Sequence, residues 1–396
     1  MSADRPLTVM LVAGEASGDA LGAGLAKALR QRLDEGVRFV GVGGARMAEQ
    51  GIESLFDIAE LSILGLWEGV KAYPRVVRLA DATAALARRE RPDVAVLIDQ
   101  WGFTLRVAQR LRRQLPGTLL VKYVGPQVWA SRPGRARTLA QAVDHLLAIH
   151  AFDAPHFERE GLATTFVGNP ALARDFSQAD PARLRAHIGA GEGDPILLVL
   201  PGSRPSEMKN VLPPFADAAR RLLAERPDLR VVVPVAETVA ASVRADVAGW
   251  GERAFVVDGA LKDDAMLAGT AALACSGTVT TELALAGRPM VVGYRIGRLT
   301  YLALKALIRT RFITLFNIAA QDFVAPEFIQ DDCNGPALAK AVGALLDDPE
   351  RRAAQAAAQD AALEKMGRGG PDPSELAADT ILRLLAERQP RASIGA

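Results

Sequence analysis

Short apolar runs alternate along the chain with longer stretches in which Ala and Leu recur among arginines. Thr8–Val12, Arg38–Val42, Val94–Ile98, Leu119–Val124 and His145–Ile149 are apolar runs of strand length. Near-continuous apolarity over so few residues marks strands covered on both faces, as in a parallel sheet. Between them Asp19–Leu33 and Arg75–Arg89 read as helices. The pattern then restarts with Ile196–Leu200, Arg230–Val235, Ala254–Val257, Ala271–Ala274 and Met290–Gly293, and with a helix over Val211–Ala224. No sequence repeat accompanies this second set. The stretch Val167–Ala182, with Gly168, Pro170, Asp175 and Pro181, reads as the linker.

The expectation is therefore an α/β protein built of two Rossmann-like domains, residues 1–170 and 171–370, with parallel sheets facing a central cleft. A last segment, 371–396, contains a capped helix over Pro373–Glu387 that begins near Ser374. Open α/β sheets bind ligands at the carboxyl ends of their strands, so candidate chemistry is sought in the turns that leave them.

Composition narrows the class. The 396 residues suffice for two cores, and 49% hydrophobic with 23% charged residues is the balance of a folded protein. Lys plus Arg number 47 against 46 acids, so bulk charge gives no sign of a nucleic-acid partner. The two cysteines, Cys275 and Cys333, and the four histidines have no metal-ligand spacing, and no metal is expected. The start lacks the apolar core of a signal peptide, and no apolar run reaches transmembrane length. A reduced, cytoplasmic enzyme is the expectation.

The first strand runs into Gly14, Glu15, Ala16, Ser17, Gly18 and Asp19. Glycines permit a tight turn and close ligand approach, and the following helix offers free N–H groups. The spacing is not GxGxxG, so a dinucleotide is not indicated. A plain turn capped by Ser17 or Asp19 reads equally well. A second cluster, Gly41, Gly43 and Gly44, ends the second strand. Asp99 closes Val94–Ile98, a rigid place for a general base, or else a strand-end Asp bonded to the next loop. After the first strand of the second half come Gly202, Ser203 and Arg204. Arg204 can grip a diphosphate with two parallel hydrogen bonds. Ser276, Gly277, Thr278 and Thr280 form a second anion-type turn. Glu282 just beyond suits the two hydroxyls of a ribose, the alternative being a capping-box Glu. Leu61–Tyr73, with Trp67 and Lys71, and Tyr301–Phe312 mix large apolar and basic residues, as interfacial helices do, although amphipathic core helices share the pattern. Arg132, Arg135 and Arg137 form a third basic group after Trp129.

Taken in order, AGEASGDALGA from Ala13, GVGG around Gly43, LSILG from Leu61, VWASRPGRA from Val128, LPGSRPSE from Leu200, SGTVTTELALAGRPMVVGYR from Ser276 and PEFIQDDC from Pro326 resemble the lipid-A-disaccharide synthase family over nearly the whole chain. The resemblance implies a two-lobed GT-B glycosyltransferase. Such an enzyme moves 2,3-diacylglucosamine from UDP to the 6-hydroxyl of 2,3-diacylglucosamine 1-phosphate, with inversion, and makes the β-1,6 disaccharide. It implies UDP held by Gly202, Ser203, Arg204, Ser276, Gly277, Thr278, Thr280 and Glu282, with Asn317 added by the resemblance alone. Asp99 stands at the family's base position. Gly14, Glu15, Ser17, Gly18, Asp19, Gly43 and Gly44 fall on the acceptor side, in the domain that faces the membrane. The family needs no cofactor. Its partners are the two acylated sugars and the cytoplasmic face of the inner membrane, with a homodimer left open. In two-lobed transferases the last helix often returns to the first lobe.

The chain also departs from the family pattern. A Pro-Asp-Phe-Asn type run after the base is here Gln100-Trp101-Gly102-Phe103-Thr104; the second Trp after VWA is Ser131; a His is Asn169; and Leu-Pro-Asn is Leu315-Phe316-Asn317. These lie mainly on the acceptor side. They keep two alternatives in view, a transferase with another lipid acceptor and a non-catalytic lipid-binding paralogue.

Overall fold

A computed structural model describes residues 5–61, 66–305 and 308–388. It divides into two units, Met1–Pro170 with Gly370–Ala396 and Ala171–Gly369. Strands β1 (Leu7–Ala13), β2 (Val37–Val42), β3 (Val94–Ile98), β4 (Leu119–Tyr123), β5 (His145–Ala148) and β6 (Ala163–Phe166) form the first sheet, in the order β2-β1-β3-β4-β5-β6. Every pairing is parallel. One face is covered by Leu25 and Leu29 of helix Ala16–Leu33 and by Ala377, Ala378 and Ile381 of helix Pro373–Arg388. The other is covered by Leu79 and Ala80 of helix Leu66–Glu90 and by Phe103, Val107 and Leu111 of helix Trp101–Gln114. The last helix is thus built into the first unit, and Arg32 fastens it with an ion pair of 2.6 Å to Asp379.

The second unit repeats the plan with β7 (Ile196–Leu200), β8 (Arg230–Pro234), β9 (Ala254–Val257), β10 (Ala271–Cys275), β11 (Met290–Tyr294) and β12 (Glu327–Ile329), in the order β12-β11-β10-β7-β8-β9. All its pairings are parallel as well. The predicted strands are present. The sequence pattern missed β6 and β12, which close one edge of each sheet and lack a fully buried apolar run. Helix Pro205–Glu225 starts six residues before the expected Val211 because Glu207, at the third helical position, accepts from the Arg204 N–H and Pro205 takes the first helical position.

The strand orders locate the functional turns. In the first sheet the chain leaves β1 for β2 on one side and returns to β3 on the other. In the second sheet it leaves β7 for β8 and β9, then returns to β10 on the opposite side. The turns after β1 and β3, and those after β7 and β10, therefore diverge at switch points, where such sheets open a crevice for ligands.

The two glycine clusters of the first unit are tied together by Asp19. Its carboxylate accepts from the backbone N–H groups of Gly44 (2.7 Å), Arg46 (3.0 Å) and Met47 (3.1 Å). It caps the short helix Ala45–Ala48 from a different element, so the acceptor-side reading of Asp19 and Gly44 gives way to a structural one. Gly43 is likewise buried, with its N–H held by Ser54 Oγ at 3.2 Å. Asp19→Ala leaves three backbone donors without their partner in a site that is 5% exposed. We expect it to cost about 2–4 kcal/mol, read as a lower urea midpoint at unchanged m-value.

Neither segment read as membrane-facing is fully visible. Residues 62–65 and 306–307, and the side chains of Trp67 and Leu304, lie outside the described residues. Among the described residues no helix is long and apolar enough to cross a membrane.

Candidate active site

In the second unit the turns after β7 and β10 border a cavity of about 750 Å³. Gly202, Ser203, Arg204, Ser276, Gly277, Thr278 and Glu282 all line it, as do Glu207, Lys262 and Asp258. Gly202 has φ +113°, and a Cβ there would lie 2.3 Å from Glu207 Oε2, so glycine is required. Glu207 reaches back across this turn and accepts from the N–H groups of Ser203 (2.9 Å) and Arg204 (3.1 Å). The Ser203 N–H, read as a phosphate donor, is therefore taken by the protein's own carboxylate. What faces the cavity is the Arg204 guanidinium, 77% exposed and 3.5 Å from Glu207.

The opposite wall sorts its residues in the same way. Thr278 is exposed at the start of helix Thr278–Leu285. Thr280 is buried and donates to Gly277 O at 2.8 Å, so it braces the turn instead of meeting a ligand. Ser276 Oγ donates to Ile313 O at 2.9 Å. Asn317 is 0% exposed and does not line the cavity. Its amide donates to Ala325 O and Glu327 Oε1 and accepts from Ala325 N. The expected donor contact of Asn317 is corrected to a lock between its helix and β12.

Glu282 is the fifth residue of its helix, two residues beyond the capping-box position held by Thr280, and that alternative falls away. Its two oxygens accept from Arg174 Nη1 (2.5 Å) and Lys262 Nζ (2.7 Å). A carboxylate so held still has lone pairs for two hydroxyls. Sequence reasoning missed both cations. They lie outside every glycine turn, and only the fold brings them to Glu282.

In the first unit the chain turns sharply after β3. Asp99 and Gln100 have left-handed φ of +47° and +29°. Two such residues in succession are strained by about 1–3 kcal/mol each and persist only where surroundings hold them. Here Thr104 Oγ1 donates toward the carbonyls of Asp99 (2.8 Å) and Gln100 (3.0 Å). Lys122, on β4, donates to the Asp99 carbonyl and to Thr104 Oγ1. Gln100 Nε2 donates to Leu61 O at 3.2 Å, and its Oε1 lies against Gly14, where a Cβ would stand 2.1 Å away. The residues that depart from the family pattern, Gln100 and Thr104, thus shape this elbow. Phe103 and Phe316 are core residues.

The elbow leaves the Asp99 carboxylate accessible, accepting from Ser17 Oγ at 3.1 Å. Glu15 and Ser17 are exposed after β1, whereas Gly14 and Gly18 are buried in the packing beneath. Lys122 is almost fully buried, and burial pulls its amine down to about 7 against the upward pull of the Asp99 and Glu15 carboxylates. It was legible as the one charge in the apolar run Leu119–Tyr123, yet the sequence reading passed over it. Asp153 was missed as well. Burial pushes its carboxyl up to about 7 against the hydrogen bond it accepts from Trp129 Nε1 at 2.9 Å.

Comparisons with known proteins show the family and the fold. The family model for lipid-A-disaccharide synthetase matches residues 9–381. The lipid-A-disaccharide synthase of Rhodospirillum centenum is 42% identical over 385 residues, covering 97% of this chain and 96% of its own. That of Ruegeria pomeroyi is 42% identical over 390 residues, covering 96% of each. Among solved structures, S. aureus MnaA in its co-structure with UDP is similar at TM-score 0.65 and 16% identity, covering 96% of this chain and 97% of that one. The kitacinnamycin glycotransferase is similar at TM-score 0.62 and 18% identity, covering 96% and 100%. The two parallel sheets and these neighbours show the GT-B fold. With a family model spanning almost its full length and relatives at this identity, the chain belongs to the lipid-A-disaccharide synthase family of glycosyltransferases.

Proposed function

We propose that the protein transfers 2,3-diacylglucosamine from UDP to the 6-hydroxyl of 2,3-diacylglucosamine 1-phosphate, inverting the anomeric centre. The observation that carries this reading is the pairing of family membership with a cavity in which Arg204 and Glu282 are presented from opposite turns. Arg204 takes the diphosphate and Glu282 the ribose. Asp99 removes the proton of the acceptor hydroxyl as its oxygen attacks the anomeric carbon, and the carbon–oxygen bond to UDP breaks on the opposite face. One displacement with one base accounts for inversion. The negative charge that grows on the leaving UDP is met by Arg204.

The exposed apolar side chains Leu302, Ile308 and Phe323 of the second unit support contact with a lipid surface. Arg311 lies over the rings of Phe312 and Phe323 and adds a cation to the same neighbourhood.

The decisive experiment is turnover in detergent with UDP-diacylglucosamine and diacylglucosamine 1-phosphate, followed by mass spectrometry. We expect equimolar UDP and disaccharide phosphate, with the new linkage β by NMR. An α linkage would overturn inversion, UDP without disaccharide would overturn the acceptor, and neither product would overturn the reaction.

A further inference from the structure

The turn after β4 carries two guanidiniums that no carboxylate among the described residues neutralises. Arg137 is held by Glu160 at 3.0 Å. Arg132 and Arg135, a few residues before it, have no carboxylate partner among the described residues. Arg135 is half-buried, and both its burial and the nearby charge of Arg132 pull its pKa down. Two like charges thus act on one another with no carboxylate among the described residues to oppose them, an arrangement that an anion would relieve. Arg132 adopts a left-handed φ of +51° although it is not glycine, which points to a backbone shaped for something other than its own comfort.

The position of the pair matters as much as its charge. The Arg135 guanidinium lies over the Trp101 ring at 5.2 Å. Stacking on a ring orients the planar fork before any ligand arrives. Trp101 is two residues beyond Asp99 and opens the helix that follows the strained elbow. In a hexosamine 1-phosphate that reacts at its 6-hydroxyl, the phosphate is borne by C1 and the hydroxymethyl group by C5. Both carbons are bonded to the ring oxygen, so anion and nucleophile leave the same end of the sugar. A base placed on that hydroxyl requires an anion-binding group close by.

We propose that Arg132 and Arg135 form the subsite for the anomeric phosphate of the acceptor, and so select a phosphorylated sugar. This rests on the acceptor side of the reaction proposed above. The guanidinium fork matches a phosphate with two parallel hydrogen bonds, which a neutral sugar cannot return. The pair therefore discriminates phosphorylated from unphosphorylated acceptors without touching the donor.

The test is the Arg132→Gln/Arg135→Gln double variant, with Arg137→Gln as control, in two independent measurements. In turnover, the acceptor KM is expected to rise about ten- to a hundred-fold with the donor KM unchanged, and the control to behave as wild type. An equal rise in donor KM would overturn the assignment. In equilibrium binding to mixed micelles without donor, wild type is expected to prefer diacylglucosamine 1-phosphate over diacylglucosamine, and the double variant to have lost that preference. Equal binding of the two lipids by wild type, or a preference that survives in the variant, would overturn the subsite. Wild type that shows the preference yet makes no disaccharide would reject the proposed reaction and leave the subsite standing.

Discussion

Asp99→Ala is expected to lower kcat by about 10²–10⁴-fold, the usual contribution of a general base. The donor KM should stay close to wild type. Asp99→Asn should be nearly as inactive, since an amide of the same shape cannot take the proton. The physical case rests on how the carboxylate is presented. Lys122 and Thr104 hold the elbow through the Asp99 backbone carbonyl, which both variants retain. The side chain itself has one hydrogen bond in the structure, to Ser17 Oγ. Its loss should therefore move the urea midpoint far less than it moves turnover, and least in Asp99→Asn, whose side chain tolerates the left-handed φ. A variant that kept turnover within about ten-fold of wild type would remove Asp99 from the role of base.

Arg204→Ala is expected to cost about 10²–10³-fold in kcat/KM and to weaken inhibition by UDP. Arg204 is the residue of its turn that carries a positive charge to the cavity, while Glu207 has closed the backbone donors beside it. Its own contact with Glu207 is long and its guanidinium is exposed, so it holds little of the fold together. Arg204→Lys should recover part of the loss, since a point charge replaces the fork but cannot place two parallel hydrogen bonds. Steady-state kinetics with UDP as product inhibitor checks both variants. If Arg204→Ala changed only stability, or left UDP inhibition as in wild type, the diphosphate would have to be held by another group.

The two substitutions also differ in what the sequence disclosed about them. Both residues stand at the end of an apolar run, and both turns carry glycine or a switch of period, so their positions were readable. Their surroundings were not. Asp19 looked like a residue of a ligand loop and proved to cap a helix whose N-cap residue, Gly44, lies 25 residues further on. Thr280 and Asn317 carry polar groups that a motif reading assigns to UDP, yet each is spent on the backbone of its own neighbourhood. Arg174 completes the Glu282 site from 108 residues away. Lys122 was the exception, since a lone ammonium in an apolar strand already signals a special environment.

The sequence by itself determined the two-sheet architecture, the family and the strand-end turns in which the candidate residues stand. Those follow from local rules: apolar period, glycine at tight turns, and the order of short motifs. Only the tertiary structure decided which polar groups in those turns are left open and which are spent inside the fold. A side chain's hydrogen bonds are claimed by whichever donors and acceptors the fold brings within about 3 Å, and in this protein many of those partners are far apart along the chain.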